Sequence, residues 1–281
     1  MMYSLIIDAG STKMEGALLK GDKVTNRFTT EGFNPNYAVG SHRLTRILSQ
    51  LGLATEDVED VYRIHYFGSG CLKEENAKMV EETLKEFFPN SLPMVSDDMT
   101  GAARALLGRE RGIACILGTG ANSCLYNGES ITKRAVSLGY LVGDEGSGCY
   151  IGRKLVRAYF YELMPPELRL EFDYDYYLTV NEFIDRVYHQ PEASRYLGEF
   201  VKFAGEHIDH PFIKDLVKEC FTEFIKVFVL RYKDCRDLRV GFVGSVAFSF
   251  QTLLYECLSA EGLTMGKVMR SPMDGLIQMY S

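Results

Sequence analysis

One order of elements, a strand, a glycine-rich loop and two further strands, occurs twice in this chain of 281 residues. In the first copy, residues 3–7 lead into the loop Asp8–Lys13 (DAGSTK), and strands are predicted at 14–19 and 24–30. In the second, residues 113–116 lead into LGTGAN at 117–122, and strands follow at 123–126 and near 131. Such loops expose backbone N–H groups and hydroxyls at strand ends, where an anion can be bound. The repeat therefore predicts an α/β protein that handles a nucleotide.

The regions around these meanders predict more helices and strands. Between the copies, apolar spacing predicts a helix near 44–51, a strand at 61–66, a helix at 74–88 and a strand near 94–96 that leads into a helix at 98–107. The stretch 147–232 is mostly helical in period, and a strand at 238–243 runs into a Gly-Ser-Val turn and a further helix. The acidic, tyrosine-rich segment Phe172–Tyr177 is interpreted as a solvated loop or part of a subunit contact, in preference to a substrate platform.

Charge and cysteine content exclude several classes of protein. With 31 basic and 38 acidic residues, the net charge is −7, and no Lys/Arg run favours nucleic acid or an anionic membrane as a partner. No stretch approaches the roughly 20 apolar residues of a membrane span, and the start has no basic leader. The 7 cysteines are scattered and never spaced as CxxC, which disfavours a disulfide framework or a zinc site. We expect a soluble protein of the reducing cytoplasm.

Five motifs in one order carry a family resemblance. They are DAGSTK from Asp8, SDDMTGAARAL from Ser96, LGTGANS from Leu117, LGYLVGDEGSG from Leu138 and FVGSV from Phe242. The chain resembles the sugar kinase, Hsp70 and actin superfamily, and within it the N-acetylglucosamine kinase-like proteins of the BadF/BadG/BcrA/BcrD ATPase family.

The resemblance implies an architecture and an assembly. It implies two ribonuclease H-like (actin-like ATPase) lobes with a central cleft that takes ATP and sugar. The lobes would span 1–110 and 111–266, with the C-terminal segment 267–281 packing back on the first. It also implies a homodimer.

Asp98 is the predicted general base. Aligning DMTGAA with the family's D-x-x-G motif implies that Asp98, rather than Asp97, accepts the proton of the sugar hydroxyl. The helix N-terminus favours an ionised carboxylate there. The competing interpretation is an N-cap, a common use of Asp before a helix, and Asp97 is a candidate for that role.

The two meander loops supply the predicted nucleotide site. Gly10, Ser11 and Thr12 would bind the terminal phosphates from one lobe, and Thr119 with Gly120 from the other. The alternative is an ordinary tight turn, since glycine also serves wherever positive φ is required. The GxxxxGK[ST] spacing of a P-loop does not occur.

Charged residues of the first loop have predicted roles as well. Asp8 would hold Mg²⁺ directly or through water, because carboxylate and phosphate oxygens suit this hard cation. Lys13 would approach a phosphate or point to solvent, and Glu15 is either a supporting acid or an exposed strand residue.

The remaining candidate residues are assigned through the resemblance. Asp144 and Asn34 correspond to sugar-contacting positions, although Asn36 lies close enough to leave the asparagine ambiguous. Ser69 is a further sugar contact or part of a bare turn. Gly244 and Ser245 would lie by the adenosine, or form a simple turn between strand and helix.

The resulting hypothesis is an ATP- and Mg²⁺-dependent sugar kinase that phosphorylates N-acetylglucosamine or a related amino sugar at the 6-hydroxyl. The chain has no tryptophan, so a sugar-stacking indole is missing and Tyr140 or another group would serve. The first alternative is an ATPase that activates a reductase or dehydratase, as in the same BadF group. The second is a sugar or nucleotide sensor that retains the fold without turnover.

Overall fold

The computed structural model describes residues 3–37 and 40–281. Its first sheet has five strands in the order β3-β2-β1-β4-β5. Neighbours β1, β2 and β3 run antiparallel as a meander, whereas β4 and β5 run parallel to β1. The strands are β1 (Tyr3–Ala9), β2 (Lys13–Lys20), β3 (Lys23–Glu31), β4 (Val61–Gly68) and β5 (Leu92–Asp97).

Helices cover both faces of this sheet, which explains why β1 is apolar at consecutive positions rather than alternating. Leu5 and Ile7 are fully buried in a cluster with residues of α1 and α3. Ile6 points the other way and packs with residues of α4 and α13. The helices of this region are α1 (His42–Ser49), α2 (Thr55–Asp60), α3 (Glu74–Phe87), α4 (Asp98–Leu107) and α13 (Met273–Tyr280).

The C-terminal helix α13 packs against β1, β2 and α4. Met273 and Leu276 are its buried residues. A Cβ atom at Gly275 would lie 2.5 Å from the carbonyl oxygen of Ala105, so the helix approaches α4 at a distance that only glycine permits.

The second sheet repeats the topology of the first. Its order is β10-β9-β6-β7-β8, which matches β5-β4-β1-β2-β3 when the strands are taken in chain order. Both meanders expected from the glycine-loop repeat are present. The strands are β6 (Gly112–Leu117), β7 (Ala121–Tyr126), β8 (Ile131–Arg134), β9 (Arg239–Val243) and β10 (Thr264–Met269).

The helices around the second sheet enclose an aromatic-rich core. Phe221, Phe224 and Phe228 are buried there together with Phe242 of β9. A short π-helix at Ile225–Val229 continues the longest helix of the group. The α-helices are α5 (Gly148–Phe160), α6 (Pro166–Tyr176), α7 (Val180–Tyr188), α8 (Ala193–Glu199), α9 (Val201–Glu206), α10 (Pro211–Phe224), α11 (Ser245–Ser249) and α12 (Gln251–Ala260).

The chain divides into two compact units. The first comprises residues up to Glu110 with Tyr126–Ile131 and Ser271–Ser281, and the second comprises Arg111–Leu125 with Thr132–Arg270. Each contains a mixed five-stranded sheet with helices, so the predicted α/β class is confirmed. Within the described part of the chain, no helix combines the length and apolar composition that crossing a membrane requires.

The segment Phe172–Tyr177 differs from the predicted loop. Residues 172–176 form the end of α6, and Tyr177 is its C-cap in the left-handed conformation. Phe172 is fully buried and packs on Phe200 and Phe203. Tyr174 and Tyr177 remain exposed. The loop interpretation was therefore wrong, because aromatic packing outweighs the acidic composition of this stretch.

Candidate active site

Three parallel strand ends of the first unit bring its predicted site residues together. In the register of the sheet, Ala9 lies opposite Gly68, and Gly68 lies opposite Asp97. The amide of Ser69 donates a 2.9 Å hydrogen bond to the carbonyl oxygen of Ala9. Since ligands of α/β sheets bind beyond the carboxyl ends of parallel strands, this edge is the expected place for a site.

The two adjacent carboxylates of this edge have different partners. Asp97 is the N-cap of α4 and accepts from the backbone amide of Thr100 at 3.2 Å and from its hydroxyl at 2.8 Å. Asp98 is the first residue of α4, and its Oδ2 accepts a 2.7 Å hydrogen bond from the Ser69 hydroxyl. Capping therefore belongs to Asp97, as the sequence suggested. The role of Asp98 as base stays a prediction that this geometry permits.

Asp8, at the end of β1, lies in a negative environment. Burial, and then the charges of Asp98 and Glu15, raise its pKa from 3.8 to about 8, against a smaller lowering effect of Lys13. A carboxylate that burial and neighbouring carboxylates drive toward its neutral form fits a position where a cation supplies the missing positive charge.

Protein ligands alone would not complete a metal site here. Across residues 3–37 and 40–281, no group of three or more His, Cys, Asp and Glu side chains could hold a metal ion by itself. Mg²⁺ is usually bound through one or two carboxylates together with substrate phosphates and water. Asp8 with its acidic neighbours fits that mode of binding.

The loop Asp8–Lys13, called the first phosphate loop below, is a tight turn joined to a second segment. The amide of Gly10 donates to the carbonyl oxygen of Lys13 at 2.9 Å, and that of Gly32 to Thr12 at 3.1 Å. A Cβ atom at Gly32 would lie 2.5 Å from the carbonyl oxygen of Gly10. Lys13, half-exposed, forms a 2.6 Å ion pair with Glu15.

The segment Gly32–Asn36, called the sugar loop below, connects directly to the first phosphate loop. Asn34 Nδ2 donates to the hydroxyl of Ser11 at 2.9 Å, and its Oδ1 accepts from the amide of Asn36 at 3.0 Å. An amide side chain has two N–H groups and two lone pairs, so Asn34 retains capacity for a sugar hydroxyl.

Sequence analysis missed Asn76, a residue in the first turn of α3. Its Nδ2 donates to Oδ1 of Asn36 at 3.0 Å and to the carbonyl oxygen of Gly70 at 2.9 Å. In the sequence it is a polar residue at a helix start, which carries no signal of such contacts.

In the second unit, the loop after β6 is bonded to the start of α5. The amides of Gly148 and Cys149 donate to the carbonyl oxygens of Gly118 (2.8 Å) and Thr119 (3.1 Å). Asp144 is buried, with a φ of 57°, and its Oδ1 accepts from the amide of Ala121 at 3.3 Å. Burial raises the pKa of Asp144, and that hydrogen bond opposes the rise.

Close packing explains the glycines of this second group. A Cβ at Gly120 would lie 3.1 Å from Oδ2 of Asp144. Gly244, which precedes α11, has a φ of 132°, and a Cβ there would lie 2.3 Å from the carbonyl oxygen of Leu117. Ser245 is the first residue of α11. The turns that follow β6 and β9 are thus adjacent.

The predicted residues therefore fall into two groups, each at the strand ends of one unit. The first unit holds Asp8, Gly10, Ser11, Thr12, Lys13, Asn34, Ser69 and Asp98, and the second holds Thr119, Gly120, Asp144, Gly244 and Ser245. Their binding roles stay predictions.

Comparison with known proteins finds a relative of substantial sequence identity along nearly the full length. A solved structure from Porphyromonas gingivalis, provisionally described as an N-acetylglucosamine kinase, is 38% identical, with a TM-score of 0.92 over 99% of this chain and 98% of that one. The N-acetylmuramic acid/N-acetylglucosamine kinase of Clostridium acetobutylicum is 26% identical over 167 residues, which are 56% of this chain and 53% of that kinase. The chain thus matches about half the length of this curated relative. No family profile matches the chain.

More distant structures share the fold. A ROK family glucokinase from Streptomyces griseus in complex with glucose and AMPPNP is 12% identical, with a TM-score of 0.58 over 99% of this chain and 98% of that one. The activator of 2-hydroxyisocaproyl-CoA dehydratase from Clostridium difficile with bound ADPNP is 17% identical, with a TM-score of 0.50 over 99% of this chain and 93% of that one. At these identities the likeness shows the fold alone.

Proposed function

We propose that this chain, which belongs to the N-acetylglucosamine kinase-like proteins of the BadF/BadG/BcrA/BcrD ATPase family, transfers the γ-phosphate of ATP to a hydroxyl group of a sugar. The substrate class we propose is N-acetylglucosamine or a related amino sugar, with the 6-hydroxyl as acceptor. The names of the Porphyromonas and Clostridium acetobutylicum relatives support the choice of sugar, whereas the 6-hydroxyl comes from the family resemblance alone.

The observation that carries the proposal is the placement of Asp98. Its carboxylate stands at the N-terminus of α4, held by Ser69, at the strand edge that also bears Asp8 and the first phosphate loop. We assign Asp98 as the general base. The sugar oxygen attacks the γ-phosphorus, its proton passes to the Asp98 carboxylate, and the bond from the γ-phosphorus to the oxygen of ADP breaks.

Asp8 is the proposed ligand of Mg²⁺, either directly or through water. When bound, the ion would neutralise charge on the phosphate oxygens, a general requirement of phosphoryl transfer. The surroundings of Asp8 support this role, since burial and then the charges of Asp98 and Glu15 raise its pKa, and a bound cation would favour the ionised carboxylate.

The binding roles divide between the two groups of residues. In the first unit, Gly10, Ser11, Thr12 and Lys13 would bind phosphate, while Asn34 and Ser69 would contact the sugar. In the second unit, Thr119 and Gly120 would bind phosphate, Asp144 would contact the sugar, and Gly244 and Ser245 would lie by the adenosine. A homodimer and a cytoplasmic location remain expectations from the sequence.

A dehydratase activator is the second candidate, favoured by the likeness to the Clostridium difficile activator fold. That function needs cysteines placed to hold an iron–sulfur cluster. All 7 cysteines of this chain lie in its described part and are buried, and none of them forms a disulfide bond. Purified under anaerobic conditions, a kinase should be colourless, whereas an activator should absorb visible light through its cluster.

The test is a panel of sugars and amino sugars assayed for ADP formation with ATP and Mg²⁺. N-acetylglucosamine and N-acetylmuramic acid would be compared in parallel with the wild-type protein, Asp98→Asn and Asp97→Asn. Asn caps a helix about as well as Asp, so Asp97→Asn removes the neighbouring charge and keeps the cap. We expect Asp98→Asn alone to lose sugar-dependent turnover while still binding ATP. Full turnover of Asp98→Asn would remove Asp98 from its role, and no turnover of any sugar by the wild type would refute the kinase.

A further inference from the structure

Asn76 lies between two segments that carry proposed site residues. It stands in the first turn of α3 and is partly buried. Its amide nitrogen donates to Asn36 in the sugar loop and to the carbonyl oxygen of Gly70 in the Ser69 turn, here Gly68–Cys71. One side chain thus joins two loops that are 34 residues apart in the sequence, from Asn36 to Gly70.

The contacts continue from Asn36 to the first phosphate loop. The amide of Asn36 donates to Asn34, and Asn34 donates to the hydroxyl of Ser11. Backbone bonds run in parallel, since the amide of Phe33 donates to the carbonyl oxygen of Gly10 at 3.0 Å. A displacement of the sugar loop would therefore also displace Ser11.

The Ser69 turn closes the network on the proposed base. Gly70 has a φ of 82°, and a Cβ there would lie 2.5 Å from Oδ1 of Asn34, so the turn packs directly on the sugar loop. Ser69 in turn donates to Asp98. The chain of contacts runs from Ser11 through Asn34, Asn36 and Asn76 to the Ser69 turn, and from there to Asp98.

We propose that Asn76 is a positioning residue that couples the first phosphate loop and the sugar loop to the turn that holds Asp98. Binding of nucleotide and binding of sugar then favour the same arrangement of the loops, and each ligand raises the affinity for the other. The coupling of ligands rests on the proposed function, whereas the mechanical link between the loops does not.

The chemistry of Asn76 explains why an amide is required. Both of its partners, Asn36 Oδ1 and the Gly70 carbonyl oxygen, are acceptors, so the side chain must donate twice. Asp has the same shape without an N–H donor, and its carboxylate would face two oxygens. Asn76→Asp is therefore an isosteric change that removes the function of the amide.

Asn90 offers a matched control in the same unit. Its Nδ2 donates at 3.0 Å to the carbonyl oxygen of Glu59, outside the network. Asn90→Asp therefore removes an amide-to-carbonyl hydrogen bond without touching the loops. Asn76→Ala serves as a second variant, since it removes the donor without adding a charge.

The experiment measures hydrogen–deuterium exchange of the free proteins, well below their melting temperatures. It also measures the sugar KM and kcat, and the affinity for a non-hydrolysable ATP analogue with and without N-acetylglucosamine. For Asn76→Asp and Asn76→Ala we expect about tenfold faster exchange in peptides covering the sugar loop and the Ser69 turn, as the loss of a partly buried hydrogen bond allows. The sugar KM should rise about tenfold, and the effect of sugar on analogue affinity should disappear. Asn90→Asp should match the wild type in each measurement.

The outcomes separate the two proposals. Unchanged exchange in both loops, or equal effects of Asn76→Asp and Asn90→Asp, would overturn the role of Asn76. Faster exchange with an unchanged sugar KM and unchanged ligand coupling would overturn the coupling of the two ligands. Faster exchange in a protein whose wild type phosphorylates no sugar would support the link between the loops and refute the kinase.

Discussion

The hydroxyl of Ser69, beyond the end of β4, donates a 2.7 Å hydrogen bond to Oδ2 of Asp98, the first residue of α4. The contact depends on a close approach of helix and strand. A Cβ atom at Gly101 would lie 2.8 Å from Cβ of Phe67, so only glycine allows α4 to pack this near β4. The D-x-x-G spacing thus has a physical reason here. Its glycine brings its aspartate within reach of the Ser69 turn.

Ser69→Ala should lower turnover by removing the donor that holds Asp98. A hydrogen bond to a charged group is worth roughly 1.5–3 kcal/mol, so we expect kcat to fall by about tenfold or more. Ser69→Thr keeps the hydroxyl and should recover part of the activity. The control is Ser91→Ala, which removes a 2.7 Å bond to the carbonyl oxygen of Phe88 in the same unit. Equal kcat values for Ser69→Ala and Ser91→Ala would contradict the role of Ser69.

Asp97→Ala should destabilise the protein through the loss of the α4 cap. Asp97 accepts from both the amide and the hydroxyl of Thr100, and replacing a capping Asp with Ala costs about 1 kcal/mol. Asp97→Asn should lose far less stability, because an asparagine oxygen can accept the same hydrogen bond from the amide of Thr100. Urea unfolding of the three proteins measures the difference. If both variants unfolded at the wild-type urea concentration, the cap would contribute nothing.

Local signals explain which parts of the fold could be predicted. The glycine loops and the Asn127-Gly128 turn mark both meanders, and the predicted helix at 98–107 has the bounds of α4. The placement of Asp8 and Asp98 at strand ends follows from the same patterns. These features depend on residues close in sequence, which is why the sequence suffices for them.

Other parts depend on contacts that the sequence does not display. Strand β10 was not predicted, since Thr264–Met269 contains a glycine and a lysine and is only partly buried, and it forms by pairing with β9. Asn76 acquires its partners only when α3 packs beside the loops. The segment Phe172–Tyr177 folds as a helix end because Phe200 and Phe203, which are distant in sequence, pack against Phe172.

Asp8 should make the stability of the metal-free protein depend on pH. The pKa of Asp8 is 3.8 in the unfolded chain and about 8 in the folded protein. Between these values the folded state holds the extra proton, so this group makes the free energy of unfolding fall as pH rises. The melting temperature of Asp8→Asn should therefore exceed that of the wild type by a margin that widens from pH 4 to pH 8.

Mg²⁺ should reverse this effect in the wild type, because it favours the ionised carboxylate. We expect Mg²⁺ added with a non-hydrolysable ATP analogue to raise the melting temperature at pH 8, beyond the effect of the analogue alone, in the wild type and not in Asp8→Asn. The exposed turn residue Asp22 provides the control variant Asp22→Asn. Identical pH profiles for Asp8→Asn and the wild type would show that Asp8 titrates normally.

Gly244→Ala should damage the second unit at the turn after β9. Its φ of 132° disfavours any side chain, and the new Cβ would lie 2.3 Å from the Leu117 carbonyl oxygen, so backbone must move at the second predicted phosphate loop. Gly52→Ala isolates the conformational cost, since Gly52 has a φ of 66° and nothing within 4 Å of a Cβ. We expect Gly244→Ala to lower the free energy of unfolding by about 1–3 kcal/mol more than Gly52→Ala, as overpacking does. It should also weaken binding of an ATP analogue, which Gly52→Ala should leave intact. Urea unfolding measures the stability of the two variants, and calorimetric titration measures their affinity for the analogue. Equal stability and equal affinity of the two variants would mean that the turn tolerates a side chain and does not support the nucleotide.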